Sequence, residues 1–279
     1  MNADVFFSMG RTHTVCQDYA TVGQGGSIAL SDGCSTSKHT DFGARLLCRQ
    51  ASMWGDPLTA VKMTQPHLSP FLLPVECLDA TILTAESTED AEGNLTGMGI
   101  NASIAGDGFL VGRKRYGGYT LILSEYPSGA PRYPSYDLDP LRRARYVQEY
   151  GNVQGLDAQK SFVHRITVIE DGKVTSVTDH PIEDVEAKPY ACLFESLDYD
   201  LVLLLSDGAQ SFHRPVGSNG ATENVPYLEV IEEMLAVKGF AGEFIVRRAR
   251  AFLKKAASKG WSHDDDFSVA AIYLGETSS

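Results

Sequence analysis

Five aspartates in this chain of 279 residues stand at the ends of short apolar runs or inside glycine turns: Asp18, Asp32, Asp107, Asp207 and Asp265. Asp32 closes the run Ile28-Ala29-Leu30-Ser31 and is followed by Gly33. Asp207 closes Leu201-Val202-Leu203-Leu204-Leu205-Ser206 and is followed by Gly208. Such runs read as buried strands, so each delivers a carboxylate to a strand end, with a glycine behind it that permits close approach. Asp107 lies in Gly106-Asp107-Gly108, and Asp265 in the triplet Asp264-Asp265-Asp266. Taken singly, an Asp-Gly after a strand is ordinary turn chemistry. Five such acids, with no competing His–Cys cluster, suit a hard divalent cation such as Mg²⁺ or Mn²⁺, which takes carboxylate and carbonyl oxygens plus water. The pattern sets out a metal site assembled from distant parts of the chain.

These acids need a scaffold that gathers them. Val5-Phe6-Phe7 and residues 19–22 read as strands ahead of the Asp32 strand. From Asp41 onward, Phe42, Leu46, Leu47 and Ala51 recur at helical spacing, and a short helix fits residues 57–65. A strand resumes at 78–85, and a polar loop follows at 89–94. Residues 100–105, 109–113 and 119–124 then form a meander with glycine turns, the mark of antiparallel sheet. Residues 126–160 hold four prolines and many charges, and are expected as a surface flap or insertion rather than a linker. Residues 161–169 and 174–178 make a hairpin about Asp171-Gly172. Helices are expected over about 224–237 and 242–258, and a last strand over 267–274. Roughly ten strands without strict strand–helix alternation predict an α+β architecture of antiparallel sheets layered with helices.

Composition narrows the functional classes. The net charge is −12, with 36 Asp and Glu against 24 Lys and Arg. A general nucleic-acid binder needs a basic face to meet phosphates, so that class is excluded. No apolar run approaches the ~20 residues of a membrane span, and the first residues lack a basic segment followed by a long apolar one. The five cysteines form no C-x-x-C pair and read as reduced thiols. These features together predict a cytoplasmic protein, with neither membrane nor nucleic acid as partner.

Taken in order, the motifs are Arg11-x5-Gln17-Asp18, Ser31-Asp32-Gly33, Gly106-Asp107-Gly108, Leu205-Ser206-Asp207-Gly208 and Asp265-Asp266-Phe267-Ser268-Val269. The set resembles the metal-dependent protein phosphatases of type 2C, particularly their bacterial branch, over residues 5 to 274. That resemblance implies a four-layer αββα sandwich, two antiparallel sheets flanked by helices, as a single domain over 1–279 with two metal ions at one edge. It implies that Asp32 bridges both Mn²⁺ or Mg²⁺ ions, that Gly33 ligates one through its carbonyl, and that Asp207 and Asp265 hold the other. Asp18 would act through a bound water, Asp107 would help to bind a third, weaker ion, and Arg11 would grip the substrate phosphate. The substrates implied are phosphoserine and phosphothreonine proteins, those of a cognate kinase, hydrolysed by a water that the two metals activate.

The chain departs from the family pattern in three places. Cys34 stands where eukaryotic relatives have a histidine that serves as proton donor, Ser35-Thr36 replaces two glycines, and Gln17 replaces a common Glu. His13 and His39 are the nearest alternative donors in sequence, each with a surface role as its bland reading; a metal-bound water is a third candidate. Rival signatures fail. No cysteine stands six positions before an arginine, as a cysteine phosphatase requires. In Asp198-Tyr199-Asp200 the apolar strand follows the acids instead of delivering them, which rules out an aspartyl-nucleophile phosphatase. No Gly-x4-Gly-Lys-Ser/Thr loop is present. Two other functions stay open: a catalytically silent module that binds a phosphorylated partner or regulator, and a phosphatase of small phosphorylated metabolites.

Overall fold

The computed structural model describes residues 1–89, 95–126, 130–150, 163–181, 188–217 and 220–275. Residues 90–94 of the expected loop at 89–94, and parts of the expected flap, residues 127–129 and 151–160, therefore lie outside the described residues, while Glu89 ends a strand. The chain opens with β1 (Asn2–Ser8), β2 (Asp18–Val22) and β3 (Ile28–Gly33), then α1 (Thr40–Trp54) and α2 (Pro57–Thr64). The meander is β4 (Ala80–Glu89), β5 (Leu95–Ala105), β6 (Gly108–Lys114) and β7 (Tyr119–Glu125), followed by α3 (Pro140–Tyr150). Next come the hairpin β8 (Val163–Glu170) and β9 (Lys173–Pro181), then β10 (Tyr190–Glu195), β11 (Tyr199–Leu205), β12 (Phe212–Val216) and β13 (Ala221–Asn224). Helices α4 (Tyr227–Leu235) and α5 (Phe244–Ser258) lead to β14 (Ser262–His263) and β15 (Phe267–Tyr273).

Two large antiparallel sheets carry the architecture. One has the order β1-β15-β11-β6-β7-β8-β9 and the other β10-β5-β4-β3-β2, with a small sheet β13-β12-β14 beside them. The strand period of two divides their residues between three cores. In β11, Leu201, Leu203 and Leu205 face α4 and α5, whereas Val202 and Leu204 face the opposite sheet. In β15, Val269 and Ala271 take the first side, and Ala270 and Ile272 the second. Ile28 and Leu30 of β3 join the same inter-sheet core, while Ala29 turns outward to Leu47, Cys48 and Ala51 of α1. The layers are thus helix, sheet, sheet, helix, as the resemblance implies. β11 is buried on both faces, which is why it reads as an unbroken apolar run; each fully buried Leu stabilises by about 1.5–3 kcal/mol.

The helices correct two details. α1 lies where expected, but Phe42 sits at its margin and Gly43, Leu47, Cys48 and Ala51 form the buried face. A Cβ on Gly43 would come within 1.6 Å of the Cys77 carbonyl oxygen, so glycine lets the helix dock against that chain and sets its rotation. The second detail is α3, a regular helix inside the stretch expected to be irregular. Asp139-Pro140 starts it: Asp139 Oδ1 accepts from the Leu141 amide at 2.9 Å, and proline at the first helical position lacks only an N–H with no intrahelical partner. Within this segment Arg132, Tyr133, Ser135 and Tyr146 are buried, so it is packed against the body. Strands β10, β12, β13 and β14 complete a set larger than the ten expected. No helix among the described residues is long and apolar enough to cross a membrane.

Candidate functional site

The two sheets deliver acids to one end of the sandwich. Asp32 sits near the end of β3, and Asp18, its direct partner in the β2–β3 ladder, stands at the start of β2. Asp107 occupies the turn by which the chain crosses from β5 in one sheet to β6 in the other. Asp207 follows β11, and Asp265 precedes β15, the strand paired with β11. Asp32, Asp107, Asp207 and Asp265 line a single cavity of about 550 Å³, together with Gly33 and Cys34. Asp18 is 1 % exposed and is not part of the lining.

Close backbone approach makes this convergence possible. A Cβ on Gly208 would fall 1.7 Å from the Asp266 carbonyl oxygen, so the turn after Asp207 can lie against the Asp265–Asp266 segment only as glycine. Gly33 is similarly enclosed: a Cβ there would lie 2.8 Å from Thr40 Cβ and 3.0 Å from the Gln17 carbonyl oxygen. Its amide donates to that Gln17 carbonyl at 3.2 Å. The Gln17 side chain donates in turn to Thr40 Oγ1 at 2.6 Å and to the Cys34 carbonyl at 3.3 Å. Those are donor roles an ionised glutamate could not fill.

Electrostatics mark the acids as a repelling cluster. Burial, then the charges of Asp18 and Asp207, push Asp32 well above the usual carboxylate range. Burial, then Asp207, does the same to Asp107, and burial with Asp207 raises Asp265. Asp18 is raised mainly by burial, with the Asp266 charge added, against the lowering effect of the Ser268 and Ser206 hydroxyls. Among the described residues, neither Asp18 carboxylate oxygen nor Asp207 Oδ1 has a hydrogen bond of normal geometry, although the two hydroxyls stand near Asp18, and all three oxygens are buried. Hard oxygen donors, mutual repulsion and orphaned carboxylate oxygens fit a divalent cation. Among the described residues, no three His, Cys, Asp or Glu side chains stand close enough together to hold a metal ion by themselves. Mg²⁺ and Mn²⁺ keep several waters and need few protein ligands, so acids spread round an open cavity remain compatible with them.

The three consecutive aspartates have separate roles. Asp265 lines the cavity. Asp266 is 1 % exposed and organises the loop before β2, accepting from the Gly10 amide at 2.7 Å and the Gln17 amide at 2.6 Å. Asp264 pairs with Arg11 at 2.7 Å and His213 at 3.1 Å. Arg11 is accordingly outside the lining, with its side chain 66 % exposed. His13 lies 3.0 Å from Asp266 and 3.4 Å from Asp265. Burial pulls its pKa down, but Asp266, Asp265 and Asp18 outweigh that and raise it. His39 is exposed at the head of α1, with φ 62°, and neither histidine lines the cavity. Cys34 does, with its sulfur 3.1 Å from Thr36 Oγ1. Burial alone would raise this thiol; the neighbouring Thr36, Tyr133 and Ser37 hydroxyls outweigh it and lower the pKa.

Sequence reasoning missed the cavity's opposite wall. α3 and the chain before it supply Tyr133, Tyr136, Arg142, Arg145 and Tyr146 to the lining. The rings form a ladder, with Tyr133–Tyr136 at 5.7 Å and Tyr136–Tyr146 at 5.3 Å between centroids. The available signal was the density of Tyr and Arg from 133 to 150, together with the Asp139-Pro140 helix start.

Several solved structures share this fold. A bacterial serine phosphatase aligns over 100% of both chains, with 14% identity and a TM-score of 0.55. Serine/threonine phosphatase Stp1 from Staphylococcus aureus matches 99% of this chain and 96% of its own, with 15% identity and a TM-score of 0.53. The S. agalactiae serine/threonine phosphatase matches 98% of this chain and 99% of its own, with 14% identity and a TM-score of 0.50. The chain therefore has the fold of bacterial serine/threonine phosphatases. No protein-family model matches it, and no curated protein matches it in sequence.

Proposed function

We propose that this chain is a Mn²⁺- or Mg²⁺-dependent phosphatase, a single domain over 1–279, that hydrolyses phosphoserine and phosphothreonine monoesters in protein substrates of a cognate kinase. One observation carries the reading: acids from four separate parts of the chain, Asp32, Asp107, Asp207 and Asp265, meet in one cavity on a phosphatase fold. In this reading Asp32, the Gly33 carbonyl, Asp207 and Asp265 would hold two such ions. Asp18 would support them through a water, and Asp107 would serve a third, weaker ion. Bound there, the cations supply charge neutralisation at the phosphoryl oxygens and acidify water. The chain's own contribution is positional: paired strands fix the acids, and phosphoryl transfer through a loose transition state depends on such positioning and on electrostatics.

The test is hydrolysis of an aryl phosphate, then of a phosphoserine peptide, a phosphosugar and a nucleotide, each with Mn²⁺ and with a chelator. Turnover of the aryl phosphate and the phosphopeptide that needs Mn²⁺ is expected. No turnover of any substrate with Mn²⁺ would favour a silent binding module, and preference for the phosphosugar or nucleotide would favour a metabolite phosphatase.

A further inference from the structure

The cavity lining is acidic on one side and basic on the other. Against Asp32, Asp107, Asp207 and Asp265 it sets two cations, Arg142 and Arg145, both on α3, with Glu149 one turn further along the same helix. Arg142 is engaged: its Nη2 lies 2.6 Å from Asp79 Oδ2, and its guanidinium stands 4.8 Å over the Tyr136 ring. Arg145 is exposed and has no hydrogen-bond or ion-pair partner among the described residues. Arg11, as described, is held by Asp264 outside the lining.

Asp79 joins this helix to the metal-facing loop. It is 2 % exposed; its Oδ1 accepts from Ser135 Oγ at 2.7 Å, and its Oδ2 from Ser37 Oγ at 2.7 Å and from Arg142. Its carbonyl accepts the Cys34 amide at 2.8 Å. One carboxylate thus ties the chain beyond Gly33, the segment before α3, and α3 itself. Arg142 and Arg145 are three residues apart, neighbours on one helix face, so fixing the first fixes the base of the second.

Building on the phosphatase reading, we propose that Arg145 grips the substrate's phosphate, and that Asp79 is a positioning residue that holds α3 over the cavity through Arg142. A phosphomonoester dianion offers paired oxygens to a guanidinium fork, which an ammonium matches only as a point charge. The wall of carboxylates repels that dianion wherever no cation intervenes, so the free guanidinium marks where it is admitted.

Calorimetric titration of inorganic phosphate into the Mn²⁺-loaded full chain reads the grip without turnover. Arg145→Ala should weaken phosphate binding about ten- to a hundredfold, the cost of a lost charged hydrogen bond. Arg145→Lys should recover part of it, and Arg11→Ala should stay within about threefold of wild type. Asp79→Asn should weaken phosphate binding with Mn²⁺ affinity unchanged, and should add little on top of Arg145→Ala. Arg142→Gln loosens the same clamp and serves if Asp79→Asn does not fold. Wild-type phosphate affinity in Arg145→Ala overturns the grip, as does a wild-type protein that binds no phosphate. Wild-type affinity in both Asp79→Asn and Arg142→Gln overturns the positioning role. If phosphate binds through Arg145 but no aryl phosphate is hydrolysed, the catalytic reading fails and the grip stands.

Discussion

Cys34 is the residue most easily mistaken for the chemistry of this cavity. It adjoins Asp32-Gly33, lines the cavity, and its thiol pKa is lowered by neighbouring hydroxyls once the opposing effect of burial is outweighed. A thiolate nucleophile also needs a base or a phosphate loop around it, and Thr36, Ser37 and Tyr133 are hydroxyl donors, not bases. Cys34→Ser should therefore keep Mn²⁺-dependent turnover within about tenfold of wild type, or ~1.4 kcal/mol in the barrier. Detection of a phosphocysteine by mass spectrometry would reverse that assignment. The carboxylates carry the opposite expectation. Asp207→Asn or Asp265→Asn replaces a charged oxygen donor for a hard cation, so turnover should fall by about a hundredfold or more at saturating Mn²⁺ while the circular dichroism spectrum is retained. Turnover near the wild-type rate in either variant would remove that residue from the metal site.

Elements differ in how plainly the sequence announces them. β3 and β11 were legible with their acids because a strand buried on both faces leaves an unbroken apolar run, and the following Asp-Gly marks its end. α5 was legible for the same reason at helical spacing: Phe244, Ile245, Ala249, Phe252 and Ala256 are all buried. α3 was not, because Tyr146 alone of its residues is buried and its other side chains give no apolar stripe. Its clamp was hidden altogether, since Asp79 and Arg142 meet only after the chain folds back across 63 residues. The pairing of Arg11 with Asp264, across 253 residues, was hidden in the same way. β8 holds a further case. His164 packs at a 39° tilt against Tyr190, 4.6 Å between centroids, faces His180 across the β8–β9 ladder, and has a buried Nδ1 without a hydrogen-bond partner among the described residues. Burial, then the charge of His180, lowers its pKa to about 4. The unfolded chain takes up that proton near pH 6.5, so between about 6.5 and 4 the unfolded state binds more protons and stability falls as pH falls. The full loss is on the order of 3 kcal/mol. His164→Phe should flatten this slope in urea unfolding curves, measured as the difference from wild type at pH 7 and pH 4.5. The difference carries the test because Asp18, Asp32 and Asp107, with raised pKa values, contribute slopes of opposite sign. Parallel curves for the two proteins would show that His164 does not titrate in this window.

For the whole molecule, the acids come from both layers: Asp18 and Asp32 from the five-stranded sheet, Asp207 and Asp265 from the ends of strands in the seven-stranded one. Cations held between them, as proposed, would link the sheets. Without cations, burial and then mutual repulsion make Asp18, Asp32, Asp107 and Asp265 bind protons more tightly folded than unfolded, so that contribution to stability declines as pH rises through their raised pKa range. Mn²⁺ should therefore stabilise the protein at neutral pH by about 2.7 kcal/mol at a hundredfold excess over its dissociation constant. The rise in midpoint should appear in a thermal melt, vanish with a chelator, and be lost in Asp32→Asn. A melt insensitive to Mn²⁺ would detach the acids from metal binding.

The position of β15 gives this arrangement a direction in time. It is the last described strand in the chain, yet it lies between β1 and β11, and residues 264–266 just before it fasten the loop that carries Arg11 and His13. On a translating ribosome, β1 and β11 are made first and face each other across an empty lane, with β11 exposing an unpaired edge. Asp265 arrives only with the strand that fills that lane. The cavity is therefore completed by the act of closing the sheet, and a nascent chain halted before residue 265 holds three of its four lining acids but no closed site.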